Sequence, residues 1–195
     1  RCLNLLSHKI GGPSVKPYQP GGVWEAVAMN QSDTRYYKQG SGDDLYRRSL
    51  YTFWKRTAPN PAMEILNAPS REVFCVRRDR TNTPLQAFVT LNDPQFVEAA
   101  RNLAILALGA SDSFDHRLDF ITQLLLSRSL ENDEREIVKT TLRNVSGEYK
   151  AAPEKAAELI AVGESPTPDS LDPQALASWT ILASQILNLD ETLTK

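Results

Sequence analysis

RRDRTNTPLQAFVTLNDPQF, residues 77–96, places two helix starts and a cluster of guanidinium groups within twenty residues. Thr83-Pro84-Leu85-Gln86 has the form of a capping box. Thr83 at the N-cap can accept from the third helical amide, Pro84 at the first helical position forgoes no needed donor, and Gln86 can reach back to the Thr83 amide. Asn92-Asp93-Pro94 then stops that short helix and launches the next, with Asp93 as N-cap. Leu85, Phe88, Val89 and Leu91 supply the first helix with an apolar side. The capping reading accounts for Thr83, Gln86, Asp93 and both prolines as architecture.

Outward from Pro94 the pattern is helical throughout. Val97, Ala100, Leu103, Ala104 and Ala107 share one face and Gly109 is a natural stop. A second helix is expected over residues 113–128, with Phe114, Leu118, Ile121, Leu124 and Leu125 inward. A third starts at Asn132-Asp133-Glu134, whose acids suit the positive end of a helix dipole, and buries Ile137, Val138, Leu142 and Val145. A fourth covers residues 153–162 and ends at Gly163. Leu171-Asp172-Pro173 repeats the Asp-Pro start, with Leu171 and Leu176 spaced as a hydrophobic staple. The last helix turns Leu176, Trp179, Leu182, Ala183, Ile186 and Leu187 inward. Connections this short favour antiparallel neighbours. The expected fold class is all-α: an irregular antiparallel helical bundle in a single helical domain spanning residues 1–195.

The other half is different. Residues 1–12, RCLNLLSHKIGG, read as the second half of a helix ending at a glycine pair, as in a fragment whose front is missing. Residues 11–42 are rich in Gly, Pro and turn formers, and only residues 23–29 could form a helical turn or two. Tyr18, Trp24, Tyr36 and Tyr37 are not the composition of disorder, so this segment is expected to wrap across the bundle on aromatic anchors. In residues 44–57 the spacing of Tyr46, Leu50, Phe53 and Trp54 favours a helix, against an aromatic and threonine content that leans towards strand. Pro59, Pro61 and Pro69 predict an extended connector.

Composition sets limits on function. With 41% apolar and 24% charged residues and a net charge of -2, the 195-residue chain has no overall electrostatic case for nucleic acid or a membrane surface. No apolar run approaches the roughly 18 residues of a membrane span. Cys2 and Cys75 form no CxxC, CxxCH or zinc spacing, and His8 and His116 stand apart, so no metal or cofactor site is expected. Cys75, between Phe74 and Val76, reads as a buried, inert thiol. There is no GxSxG and no phosphate loop. Charge is uneven, however: basic residues crowd positions 35–80, with 43–109 a basic central segment, and acids dominate the helices of 110–195. Either the halves attract one another or the basic segment meets an anionic partner.

Arg71, Arg77, Arg78 and Arg80 exceed what capping needs. They suit either pairing with carboxylates such as Glu72 and Asp79 or a site for a carboxylate, sulfate or phosphate group, with Asn82 and Asn92 able to close either network. No catalytic residue is assigned.

The runs IGGPSVKPYQPGGVWE, DLYRRSLYTFWKRTAPNPAMEILNAPSREVFCVRRDRTNTPLQAFVTLNDPQFVEAARNLA and GESPTPDSLDPQALASWTILASQILNLDETLTK resemble the planctomycete PSD-one domain, domain of unknown function fifteen fifty-three. The resemblance implies the C-terminal part of a large exported protein, periplasmic or at the cell surface, with a companion domain upstream and often a cytochrome-c-like module. It brings no reaction with it. The leading expectation is an accessory domain that docks on the upstream domain of the same polypeptide. The alternative is part of a hydrolase-like or anion-binding site for acidic or sulfated polysaccharide, gripped by the arginines of residues 71–80.

Overall fold

A computed structural model describes residues 5–194. The fold class is all-α: the described residues hold helices and short turns, and their β-structure is limited to an isolated parallel bridge between Val15 and Thr52. The chain divides into two compact units, the first Leu6–Gln86 and the second Leu5 together with the residues from Ala87 on.

The second unit contains the helices that the periodicity predicts. α3 (Pro94–Ala110) starts on Asp93, whose carboxylate accepts from the Gln95 amide at 2.9 Å. Burial pushes the Asp93 carboxyl upward and that amide partly offsets the push. α4 (Phe114–Leu125), α5 (Asn132–Ala151), α6 (Pro153–Ile160) and α7 (Pro173–Leu187) follow, and a last turn, α8 (Asp190–Leu193), has no counterpart in the sequence reading. α7 is the central element, packed against α3, α4, α5 and α6. It is buried around most of its circumference, including Ser178, Thr180 and Ser184. Ser178 and Thr180 satisfy their hydroxyls on the carbonyls one turn back, Gln174 and Leu176, so these two polar side chains turn inward without orphaned groups. Ala100, Leu103, Ala104, Leu118, Ile121, Trp179, Leu182 and Ile186 form the core. Ile137, expected inward on α5, is exposed; Val138 and Leu142 carry the contact instead.

A buried ion pair fixes the turn between α6 and α7. Glu98 and Arg101, one turn apart on α3, sit 3.5 Å from each other with side chains 0% and 2% exposed. Arg101 donates to the carbonyls of Ile160 and Val162 and to the carbonyl and hydroxyl of Ser165, the last two at 2.8 and 2.7 Å. Glu98 accepts from the Ser165 amide. Gly163 closes the turn at φ +86°, where an added Cβ would lie 2.5 Å from the Glu98 carboxyl carbon. Farther along, Arg128 bridges two carboxylates, Glu134 at 2.8 Å and Glu191 at 2.9 Å, tying the start of α5 to α8.

The first unit is mostly irregular. Residues 5–10 are not helical, and residues 1–4 of the expected first helix lie outside the described residues. The Ser7 amide is spent on the Tyr46 carbonyl at 2.9 Å, a tertiary bond that a helix would forbid. Gly11 and Gly12 do turn left-handed. Residues 23–29 form turns without a helix. Residues 44–57 adopt two short 3-10 turns, Gly42–Tyr46 and Ser49–Tyr51, and not the favoured α-helix. The reason is the pairing of Val15 with the next residues: the Val15 amide donates to Tyr51 and its carbonyl accepts from Phe53, both at 2.8 Å, holding Thr52 extended. Trp24 is 1% exposed and packs within the first unit on Tyr37 and Phe53 at 4.8 and 5.5 Å, with Lys16 and Lys55 over its ring. Tyr36 is exposed. The proline-rich connector is interrupted by α1 (Pro61–Ile65), capped by Asn60 as it accepts from the Met63 amide at 3.2 Å.

Two outcomes follow. Gly163→Ala should destabilise the second unit by about 3 kcal/mol or more in urea titration, since it combines a disfavoured φ with a clash against a side chain that has no space to retreat. The second concerns pH. The Arg128 guanidinium, and then the Glu131 amide, hold the Glu134 carboxyl at about 2, below its ordinary value of 4.5. Because the folded value is the lower one, its stabilisation is complete above pH 4.5 and is lost as pH falls towards 2. Thermal melts should decline across that window, and Glu134→Gln should flatten the decline.

Candidate functional site

The arginine segment lies in the first unit, in the irregular chain of residues 68–83 between α1 and α2 (Pro84–Asn92). The capping box at the start of α2 is present: the Thr83 amide donates to Gln86 Oε1 at 3.0 Å and the Gln86 amide to Thr83 Oγ1 at 3.3 Å. Gln86 is buried, and its Nε2 also donates to the Ile65 carbonyl at 2.9 Å and to Thr81 Oγ1 at 2.8 Å. One side chain thereby caps the start of α2 and the end of α1. Leu85, Phe88 and Leu91, expected to form the apolar side of α2, are exposed, and only Val89 of that set is buried.

Two of the arginines are consumed by backbone carbonyls, an outcome that neither sequence reading anticipates. Arg78 donates from Nε to the Asn67 carbonyl at 3.0 Å and from Nη2 to that of Leu66, closing the C-terminal end of α1. Arg71 donates to the carbonyls of Ser49 (3.1 Å), Thr52 (3.3 Å) and Leu50 (3.4 Å), with its guanidinium 4.9 Å from the Trp54 ring centre. Its own backbone is left-handed, φ +64°, a conformation costly for a long side chain that these bonds hold in place. Asn67, at φ +57°, is better suited to that region and donates to Thr81 Oγ1 at 2.6 Å. A coil-rich unit leaves many carbonyls without ladder partners, and a five-donor guanidinium satisfies several at once.

The remaining arginines face solvent. Arg77 is exposed and has no hydrogen bond or ion pair among the described residues. Arg77 and Arg78 line an open cleft of about 640 Å³ together with Trp54, Arg56, Glu64, Glu72, Cys75 and Asp79. Within it Arg56 pairs with Glu72 at 3.1 Å. Arg71, Arg80 and Asn82 are exposed and do not line this cleft. Asn92 belongs to the second unit, where its Nδ2 donates to the Phe88 carbonyl at 2.8 Å and closes the end of α2. Cys75 corrects the sequence reading: it is exposed, and so are its neighbours Val73 (73%), Phe74 (90%) and Val76 (91%). Apolar sequence neighbours bury a thiol only when some element covers them, and none in the first unit does. Among the described residues no group of three His, Cys, Asp or Glu side chains could hold a metal ion, and no helix is long and apolar enough to cross a membrane.

The fold and this cleft define an all-α chain in which Arg71 and Arg78 hold irregular backbone. The model of the family described as Protein of unknown function (DUF1553), PSD1, matches residues 2–142, well over half of the sequence. The chain belongs to that family. No curated protein and no solved structure matches it.

The carbonyl-bound arginines differ from the free one in a measurable way. Arg71→Ala and Arg78→Ala should each cost about 1–3 kcal/mol in urea titration, the value of hydrogen bonds to a charged donor, whereas Arg77→Ala should stay within about 0.5 kcal/mol.

Proposed function

We propose that this chain is a non-catalytic docking domain of an exported multidomain protein, and that its first unit seats the companion domain of the same polypeptide. The observation that carries the reading is a largely apolar groove of about 570 Å³, lined by residues 27–32, Thr34 and residues 55–57. Met29 stands at its edge 84% exposed and Val27 is half exposed. Apolar side chains held open on a groove are the usual mark of an interaction surface.

Charge supports the choice of occupant. The first unit carries twelve Lys and Arg against seven Asp and Glu, in a chain whose net charge is -2. Lys55, at the groove, is fixed by donating to the Thr34 carbonyl at 2.8 Å and by its place over Trp24. A fixed cation beside an apolar groove selects an apolar ridge flanked by carboxylates. The family resemblance supplies a covalently attached candidate. The polysaccharide reading has weaker support: Arg71 and Arg78 are engaged by carbonyls and Arg56 by Glu72, which leaves Arg77 as its best donor.

The test uses the longer polypeptide with a protease site inserted between the companion domain and this chain. After cleavage the two pieces should co-elute, and Met29→Asp should weaken their association about tenfold or more, as expected for a charge placed in an apolar contact. Pieces that separate on cleavage of the wild-type protein would overturn the reading.

A further inference from the structure

Residues 72–78, EVFCVRR, carry a second, independent surface. Val73, Phe74 and Val76 are the most exposed run of apolar side chains in the first unit. Their types (β-branched and aromatic) are those that favour strands. Yet among the described residues none of the backbone amides or carbonyls of residues 73–76 has a hydrogen-bond partner. A β-prone apolar run with an unpaired backbone is a template for another strand.

The charges at its ends indicate which strand. We propose that two copies of this chain associate by antiparallel pairing of residues 72–78 about a two-fold axis at Cys75. A two-fold axis normal to an antiparallel pair places one residue opposite its own copy, so only registers centred on a residue are symmetric. Centred on Cys75, Phe74 faces Val76 of the second copy and Glu72 faces its Arg78. Side chains alternate across a strand, so Glu72, Phe74, Val76 and Arg78 share one face. The two copies then form a four-residue apolar cluster closed at each end by an ion pair. Centring on Phe74 would set Arg71 against Arg77, a like-charge clash, and would leave Glu72 opposite a valine. Centring on Val76 would place Phe74 against Arg78.

The atoms needed are available. Arg78 uses Nε and Nη2 on the end of α1, which leaves Nη1. Glu72 uses Oε1 on Arg56, in a pair with side chains 79% and 54% exposed, which leaves Oε2. Exposed pairs of this kind are weak, so little is lost if Glu72 turns to a new partner. The isolated chain bends on either side of Phe74-Cys75, and pairing would straighten it without breaking any backbone hydrogen bond of residues 73–76. This surface is distinct from the groove at Met29, so either proposal can fail alone.

Sedimentation equilibrium of the full chain under reducing conditions provides the test. Wild type should show a monomer–dimer equilibrium, and Val76→Glu, at a fully exposed position that the fold does not need, should abolish it. Glu72→Arg and Arg78→Glu should each weaken self-association by about tenfold, because like charges then face each other at both ends. An equimolar mixture of the two variants should recover a heterodimer near wild-type strength, since every facing pair is again opposite in sign. That recovery also shows that both variants fold. A wild-type chain that stays monomeric at about 200 µM, dimers that survive Val76→Glu, or a mixture that gains nothing would overturn the proposal.

Discussion

The second unit is built around a charge pair that water does not reach. Glu98 and Arg101 lie one turn apart on α3, both essentially inaccessible. An ion pair so placed is stable only if hydrogen bonds replace the lost hydration, because desolvation opposes the mutual attraction. The chain meets much of that condition with backbone and the Ser165 hydroxyl. The turn after α6 folds over the pair so that the carbonyls of Ile160, Val162 and Ser165 face Arg101 and the Ser165 amide faces Glu98. The turn therefore has one acceptable conformation, and Gly163 is the residue that permits it. From there the chain reaches α7 at a fixed angle, and the placement of α7 decides where Trp179, Leu182 and Ile186 can pack.

The first unit solves the same accounting problem by a different route. With few helices and no ladder, its carbonyls must find donors among side chains. Arg47 takes Gly11, Lys55 takes Thr34, Asn60 takes Tyr18, Arg71 takes three carbonyls, Arg78 takes two and Gln86 takes Ile65. Tyr37 donates to the Pro17 carbonyl, and burial pushes its hydroxyl up to about 12, so it stays a donor at any ordinary pH. Long cationic side chains do here what strand neighbours do in a sheet. Among the basic residues of 35–80, Arg47, Lys55, Arg71 and Arg78 meet the requirement of an irregular backbone for donors.

That substitution explains which parts of the structure were legible in the sequence. The caps at Thr83, Asp93 and Asp172 could be read because capping is local chemistry, complete within four residues. The helices of the second unit could be read because a 3.6-residue apolar period needs no knowledge of the partner. Asn60-Pro61 carries the same capping signal as Asp93-Pro94, and it was masked by the neighbouring prolines that suggest an extended connector. The 3-10 turns of residues 42–51 were not legible, since the bridge from Val15 to Thr52 that shapes them joins positions with no local signature. Arg71 and Arg78 resembled an anion site because sequence shows the donors and hides the carbonyls. Cys75, Leu85 and Phe88 misled in the opposite sense: apolar character predicts burial only where a covering surface exists.

The distinction between spent and unspent groups is what separates scaffold from surface in this molecule. Arg71 and Arg78 sit within a few residues of Arg77 and share its chemistry, yet their donors are largely committed to holding backbone, whereas those of Arg77 are not. The same holds for the apolar residues. Trp24 and Leu45 are enclosed, and their removal would act on the fold; Met29, Phe74 and Val76 contribute little burial to the isolated chain. Arg47, Lys55, Arg71 and Arg78 are spent on the coil of the first unit itself. The exposed apolar side chains and the unpaired backbone of residues 73–76 are what the two proposed contacts would draw on.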